Sequence, residues 1–200
     1  MLDKWIFNRV VRQTIKDEVS TNAINGILKD ARRIYTELPK SSANYGLGLK
    51  FVLNTARYNI ALYRAMLEVD ISEQDAKSYI EHMNWKLFRL AGSPMRILSI
   101  MKGKNSVSRV NWIDYFLWKY FFPKPYRREF VSSDADIAFD VTKCPLQEYF
   151  RSQDSIDLCY HAACKHDYKL ADKWKTELER TKTLANGDEK CDFKFYIYRG

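Results

Sequence analysis

The apolar positions of this chain keep a helical period through its first 120 residues and then change to alternation. Leu2, Trp5, Ile6, Val10 and Ile15 recur at helical spacing, which predicts an amphipathic helix over residues 2–16. A second helix is expected from Thr21 to Leu38, stopped by Pro39. Lys40 to Asn44 is polar and is the best candidate boundary. It divides a helical N-terminal extension, residues 1–43, from a main domain, residues 44–200. The stripe Leu49, Val52, Leu53, Ala56, Ile60, Tyr63 and Leu67 predicts the longest helix, over 45–69. Ser72 with Asp75 three residues on is a capping-box start for a helix to Leu90. Ala91-Gly92 is expected to close it, and Ser93-Pro94 to open another that ends near Gly103. The aromatic block from Asn111 to Phe122 predicts a buried helix or a pocket wall carrying Trp112, Tyr115, Phe116 and Trp118. Pro123 and Pro125 end it.

Beyond Tyr126 short alternating segments, 129–131 and 137–141, predict strands. Helical spacing returns over 155–170. Leu178 to Leu184 and Cys191 to Tyr198, around Asn186-Gly187, predict a closing hairpin. Helices first and antiparallel strands later define an α+β fold: a helical N-terminal half, then a small antiparallel sheet with a packed cysteine-bearing helix.

Charge sharpens the division. The chain carries a net +8. Residues 1–133 hold 22 Lys/Arg against 12 Asp/Glu, and residues 134–200 hold 11 against 13. No run exceeds two adjacent basic residues, and neither an RNA-binding aromatic motif nor a zinc-finger spacing occurs, so nucleic acid is not an expected partner. No window approaches the roughly 18 uninterrupted apolar residues of a membrane helix. The amphipathic start lacks the apolar core of a signal peptide. It offers an arm for a partner or membrane surface. Without an export signal, the four cysteines read as reduced thiols of a cytoplasmic protein.

The chemistry concentrates in the last third. Asp157, His161 and Cys164 lie at i, i+4 and i+7, one face of an ideal helix, and Asp167 continues it. A carboxylate, an imidazole and a thiol in one row suit an activated nucleophile. Cys159 is turned away from that face and reads as packing; His82 has no evident partner. Cys144 precedes Pro145 and is expected at a helix N-cap, where backbone donors and the helix dipole lower a thiol pKa. Cys191 opens the last strand. It pairs with Lys182 or Thr183 according to loop length, and the second register gathers Thr181, Thr183, Cys191, Phe193 and Phe195 on one face. Arg180 would match a substrate carboxylate if it pointed inward. Cys144, Cys164 and Cys191 with Asp167 or His161 have the ligand types for zinc, but not a C-x-x-C spacing.

The C-x-x-D at Cys164 and Asp167 and the closing T-x-T-L-A-x-G-D-x-x-C-D-F-x-F resemble the L-2-amino-thiazoline-4-carboxylic acid hydrolase family. The resemblance spans residues 44–198. It implies a hydrolase that opens a small cyclic amidine or thiazoline carboxylic acid by cysteine- or metal-assisted attack of water. Cys144, Cys164, Asp167 and Cys191 would be the catalytic set, with Arg180, His161 and Thr183 about the substrate. The closing hairpin also resembles that of vinyl-reductase-like small-ligand-binding domains, some of which hold structural zinc through hairpin cysteines. Here Thr183 stands where such a sensor places a cysteine. The alternative is therefore a non-catalytic ligand-binding or sensor module with structural cysteines.

Overall fold

A computed structural model describes residues 3–40, 45–103 and 105–198. Residues 41–44, the core of the expected boundary, and Leu2 lie outside the described residues. Five helices come first: α1 (Asp3–Ile15), α2 (Thr21–Glu37), α3 (Leu47–Leu67), α4 (Glu73–Lys102) and α5 (Ser106–Tyr120). Then follow β1 (Arg127–Phe130), β2 (Ile137–Lys143), α6 (Pro145–Ser152), α7 (Ile156–Cys159), a π-helical turn (Tyr160–Cys164), α8 (His166–Lys173), β3 (Thr176–Glu179), a 3-10 turn (Leu184–Asn186) and β4 (Cys191–Ile197). The sheet is antiparallel throughout, in the order β1-β2-β4-β3. The α+β expectation is borne out.

Two hydrophobic cores follow from the change of period. In the first, Val11 and Ile15 of α1 and Ile27 and Ala31 of α2 pack with Ile60, Ala61 and Met66 of α3 and Ile80 and Met83 of α4. Phe150, Leu158 and Cys159 close it from the C-terminal third. In the second, Ile137, Phe139 and Val141 of β2 lie opposite Phe195, Phe193 and Cys191 of β4. That face covers Leu49 and Leu53 of α3 and Val110 of α5. Trp118 adds edge contacts to Tyr126 and Phe139. Of the four expected pocket-wall aromatics, Tyr115 is exposed and Trp112 stacks on Phe116.

Four expected boundaries are corrected. Ser72 does start a helix, its hydroxyl accepting from Asp75 N–H at 3.1 Å. That helix does not stop at Gly92; it runs to Lys102 with Pro94 inside. The Ser93 hydroxyl donates to Arg89 O at 2.8 Å, and Gly92 lies where Leu170 and Lys173 of α8 cross. Helix α5 begins five residues earlier than the aromatic block. Asn105 and Ser108 form a reciprocal cap at its start. The 155–170 helix is interrupted by the π turn. The closing hairpin is not tight: β3 ends at Glu179, Leu178 faces Phe195, and eleven residues, 180–190, join it to β4.

Candidate functional site

Three chain reversals bring the cysteines together. Cys144 leaves β2 and caps α6, with Pro145 in the first turn and Gln147 N–H donating to its Sγ at 3.4 Å. Cys191 opens β4 beside Val141 of β2, and its Sγ accepts from Leu184 N–H at 3.2 Å. Cys164 ends the π turn. Each of the three thiols lies within electrostatic reach of another: Cys144 with Cys164 and Cys191, and Cys191 with Cys164.

The π turn decides which way Cys164 faces. Lys165 N–H reaches back five residues to Tyr160 O at 2.9 Å, and Asn84 of α4 donates to Ala162 O at 3.0 Å. One extra residue per turn stacks position 164 over position 159. The Cys164 thiol accordingly lies within interaction range of the Cys159 thiol. Cys159, expected to stand apart, thus belongs to the thiol cluster. The expected row of Asp157, His161 and Cys164 is broken by the same turn. His161 Nδ1 lies 3.3 Å from Glu81 of α4, which also takes Lys165 at 2.8 Å and Lys169 at 3.6 Å. Asp157, Tyr160 and His161 line an open groove of about 470 Å³ with Arg151, Ile156, Ala185, Asn186 and Gly187.

Arg180 turns inward as it leaves β3, its side chain 1% exposed. This is the inward orientation that a match to a substrate carboxylate requires. Its guanidinium donates to Asp167 Oδ2 at 2.7 Å and to Cys164 O at 2.9 Å, between the rings of Tyr168 and Phe193. The Tyr168 hydroxyl donates to Arg180 O. The G-D-x-x-C-D sequence holds the loop that follows. Asp192 accepts from the N–H groups of Thr181 and Lys182, and Asp188 from Thr183 N–H at 2.7 Å. Gly187 takes φ 96°, a conformation that favours glycine. Thr183 contributes backbone to this loop, its carbonyl accepting from Asn186 N–H.

Two buried donors here have no partner among the described residues: Arg180 Nε and the Tyr126 hydroxyl. The Tyr126 hydroxyl faces the Cys144 thiol without a well-formed hydrogen bond, and Cys159 and Cys164 are in reach. Tyr126 carries no motif in the sequence. Its position after Pro125, before β1, is what buries it.

Electrostatics reverse one expectation. Burial pushes Cys144 up to about 12, outweighing the donation from Gln147 and the N-cap position. Burial pushes Cys191 to about 12 as well. The interaction with Cys159, with burial, holds Cys164 well above the ordinary thiol range. Cys144, Cys164 and Cys191 therefore rest as neutral thiols, not thiolates. Desolvation raises the Asp167 carboxyl against the pull of Arg180, an effect tempered because its side chain is 37% exposed. Burial opposes the Arg180 charge, but Asp167 outweighs it and the guanidinium stays charged. Among the described residues no group of three or more His, Cys, Asp or Glu side chains is arranged to hold a metal ion. The zinc alternative finds no ligand set there.

A helical layer closed by a four-stranded antiparallel sheet, with thiols and an Arg–Asp pair where they meet, defines an α+β domain with an internal polar cluster. The model of the L-2-amino-thiazoline-4-carboxylic acid hydrolase family matches residues 52–195, and the chain belongs to that family. The matched stretch runs from α3 to β4 and includes every residue of the cluster. No curated protein matches. Among solved structures, the chain is similar to the Fe(II) unliganded H-NOX protein from K. algicida, with TM-score 0.46 and 11% identity over 98% of this chain and 97% of that one. It is similar also to an H-NOX protein from S. oneidensis, with TM-score 0.42 and 11% identity over 97% and 95%.

Proposed function

We propose that this protein is a hydrolase that opens a small cyclic amidine or thiazoline carboxylic acid at the Cys164 end of the thiol cluster. The observation that carries the reading is the surroundings of Cys164. Among the three motif cysteines, it is the one whose backbone carbonyl holds Arg180, and it stands three residues before Asp167, the partner of that guanidinium; Asp167 and Arg180 act on the thiols of both Cys164 and Cys191. Cys144 has Tyr126 and other thiols about it, and Cys191 is tied to Leu184.

Ring opening adds water across the carbon between nitrogen and sulfur. The water oxygen becomes a carbonyl, the carbon–sulfur bond breaks, and the leaving sulfur takes a proton. A neutral Cys164 thiol gives its proton to the basic ring nitrogen as its sulfur attacks, so the substrate supplies the base that the resting site lacks. The ring carbon–sulfur bond then breaks, and water attacks the same carbon and expels Cys164, which takes back a proton as the water oxygen becomes the carbonyl. Asp167, with its raised proton affinity, carries the proton to the leaving sulfur. Arg180 Nε and the Tyr126 hydroxyl are the donors left over for a substrate carboxylate. The groove at His161 and Asn186 is the approach, and the turn 184–186 lies between it and Cys191. A cytoplasmic location is part of this proposal, as is a small carboxylate as the partner.

The test is incubation with 2-amino-thiazoline-4-carboxylate, following N-carbamoyl-cysteine by mass spectrometry. Wild type and Cys144→Ala should turn over, and Cys164→Ala and Arg180→Lys should not. Turnover that survives Cys164→Ala but is lost in Cys144→Ala would overturn the casting. A ligand-induced rise in Tm without turnover in any variant would favour the binding-module reading, with which neutral thiols also agree.

A further inference from the structure

From His82 to Ile113 the chain has 32 residues with six Lys/Arg and no Asp or Glu. This stretch is the C-terminal two-thirds of α4, the turn at Gly103 and the first half of α5. The two helices pack closely at that turn: a Cβ on Gly103 would lie 2.6 Å from Arg109 N. What they leave outside is apolar. Leu90, Pro94, Ile97 and Met101 recur at helical spacing along one face of α4, with Leu90 62%, Ile97 63% and Met101 78% exposed. Leu98 and Ile100 flank that stripe, also exposed. Arg89 and Arg96 are exposed on one side of it, and neither has an acidic partner among the described residues. The two carboxylates that border the stretch are both engaged elsewhere: Glu81 by His161, Lys165 and Lys169, and Asp114 by Arg128 at 2.7 Å.

We infer that this α4–α5 corner docks on the surface of an anionic lipid bilayer. Exposed aliphatic side chains flanked by unpaired cations are the pattern of a helix lying in the lipid interface. Charge selects this occupant over the others. A second copy joined through the same face would set like charges against each other. A nucleic acid would leave Leu90, Ile97 and Met101 without apolar contact. The bilayer satisfies both the aliphatic stripe and the cations. No helix among the described residues is long and apolar enough to cross a membrane, so the contact is peripheral.

The experiment is co-sedimentation of the whole chain with phosphatidylcholine vesicles with and without phosphatidylserine. Binding is expected to the anionic vesicles, falling as salt is raised. Arg89→Gln with Arg96→Gln should weaken it roughly thirtyfold, about fivefold per charge or slightly more. Ile97→Glu with Met101→Glu should abolish it. Circular dichroism checks that the fold is kept, which these exposed positions favour. Lys29→Gln with Arg32→Gln, on the exposed side of α2, removes the same charge elsewhere and should change little. Failure to bind anionic vesicles overturns the inference. So does equal weakening by the two charge pairs, which would mean net charge alone, and so does loss of a concentration-dependent dimer in Ile97→Glu without vesicle binding.

Discussion

Two carboxylates flank the cysteine-bearing helix and are held in opposite ways. Glu81 reaches it from α4 and meets three cationic or titratable partners, His161, Lys165 and Lys169. Burial opposes its charge, but the hydrogen bonds from Lys165 and His161 prevail and hold its carboxyl below the ordinary range. Asp167 sits on the helix itself and meets one cation, Arg180. There desolvation prevails and the carboxyl is raised. Glu81 is a staple between α4 and the π turn; Asp167 is the carboxylate to which the proposed reaction gives a proton-carrying role.

The strongest way to break this comparison is to remove the single cation. Arg180→Met should cost about 4 kcal/mol, since it strands a partly buried carboxylate and the Cys164 carbonyl together. Urea denaturation measures it, and a loss under about 1 kcal/mol would place the pair on a solvated surface.

His166, the first residue of α8 and the neighbour of Asp167, sharpens the comparison through pH. It is buried against Trp85 and Phe88, and neither ring nitrogen has a hydrogen-bond partner among the described residues. Burial, then Lys169, pushes it down to about 4 from 6.5. The unfolded chain takes up this proton first, so stability is full above 6.5 and falls as pH drops toward 4. The loss across that window is about 3 kcal/mol. His166→Phe should flatten the slope; a slope unchanged in the variant would contradict the assignment. The two carboxylates add smaller terms of opposite sign. Glu81's contribution is present above 4.5 and lost as pH falls through its folded value. Asp167's is full below 3.8 and lost as pH rises through its folded value.

Glu81→Gln has the smallest expected effect, about 1 kcal/mol, because the lysines it holds are half-exposed. Turnover should survive it. A loss of turnover as large as that of Arg180→Lys would move Glu81 from staple to site.

The features written in local chemistry were legible in the sequence. Ser72 and Asp75 announced the start of α4, and Pro145 placed Cys144 at a helix N-cap. The C-terminal motif pointed to the family. What was not legible depends on tertiary partners. The π turn follows from Asn84, nearly eighty residues upstream, taking Ala162 O, and it rotated Cys164 onto Cys159 and away from His161. The inward turn of Arg180 follows from where β3 stops, which an Asn-Gly dipeptide concealed. Pro94 reads as a helix start, yet Ser93 takes up a carbonyl bond and α8 packs at Gly92, so the helix continues. Tyr126 has no sequence signal beyond its place after a proline.

The central claim is that the thiols rest neutral in a buried cluster and react when a substrate brings the base. Its most direct test is the pH dependence of iodoacetamide labelling of the folded protein, resolved by cysteine through mass spectrometry. The account predicts slow labelling of Cys144, Cys164 and Cys191 at neutral pH, with no titration near the unperturbed value of about 8.5 and full labelling once the chain is denatured. Rapid labelling of Cys144 at neutral pH, with an apparent pKa below about 8, would contradict it and restore the N-cap thiolate as the nucleophile.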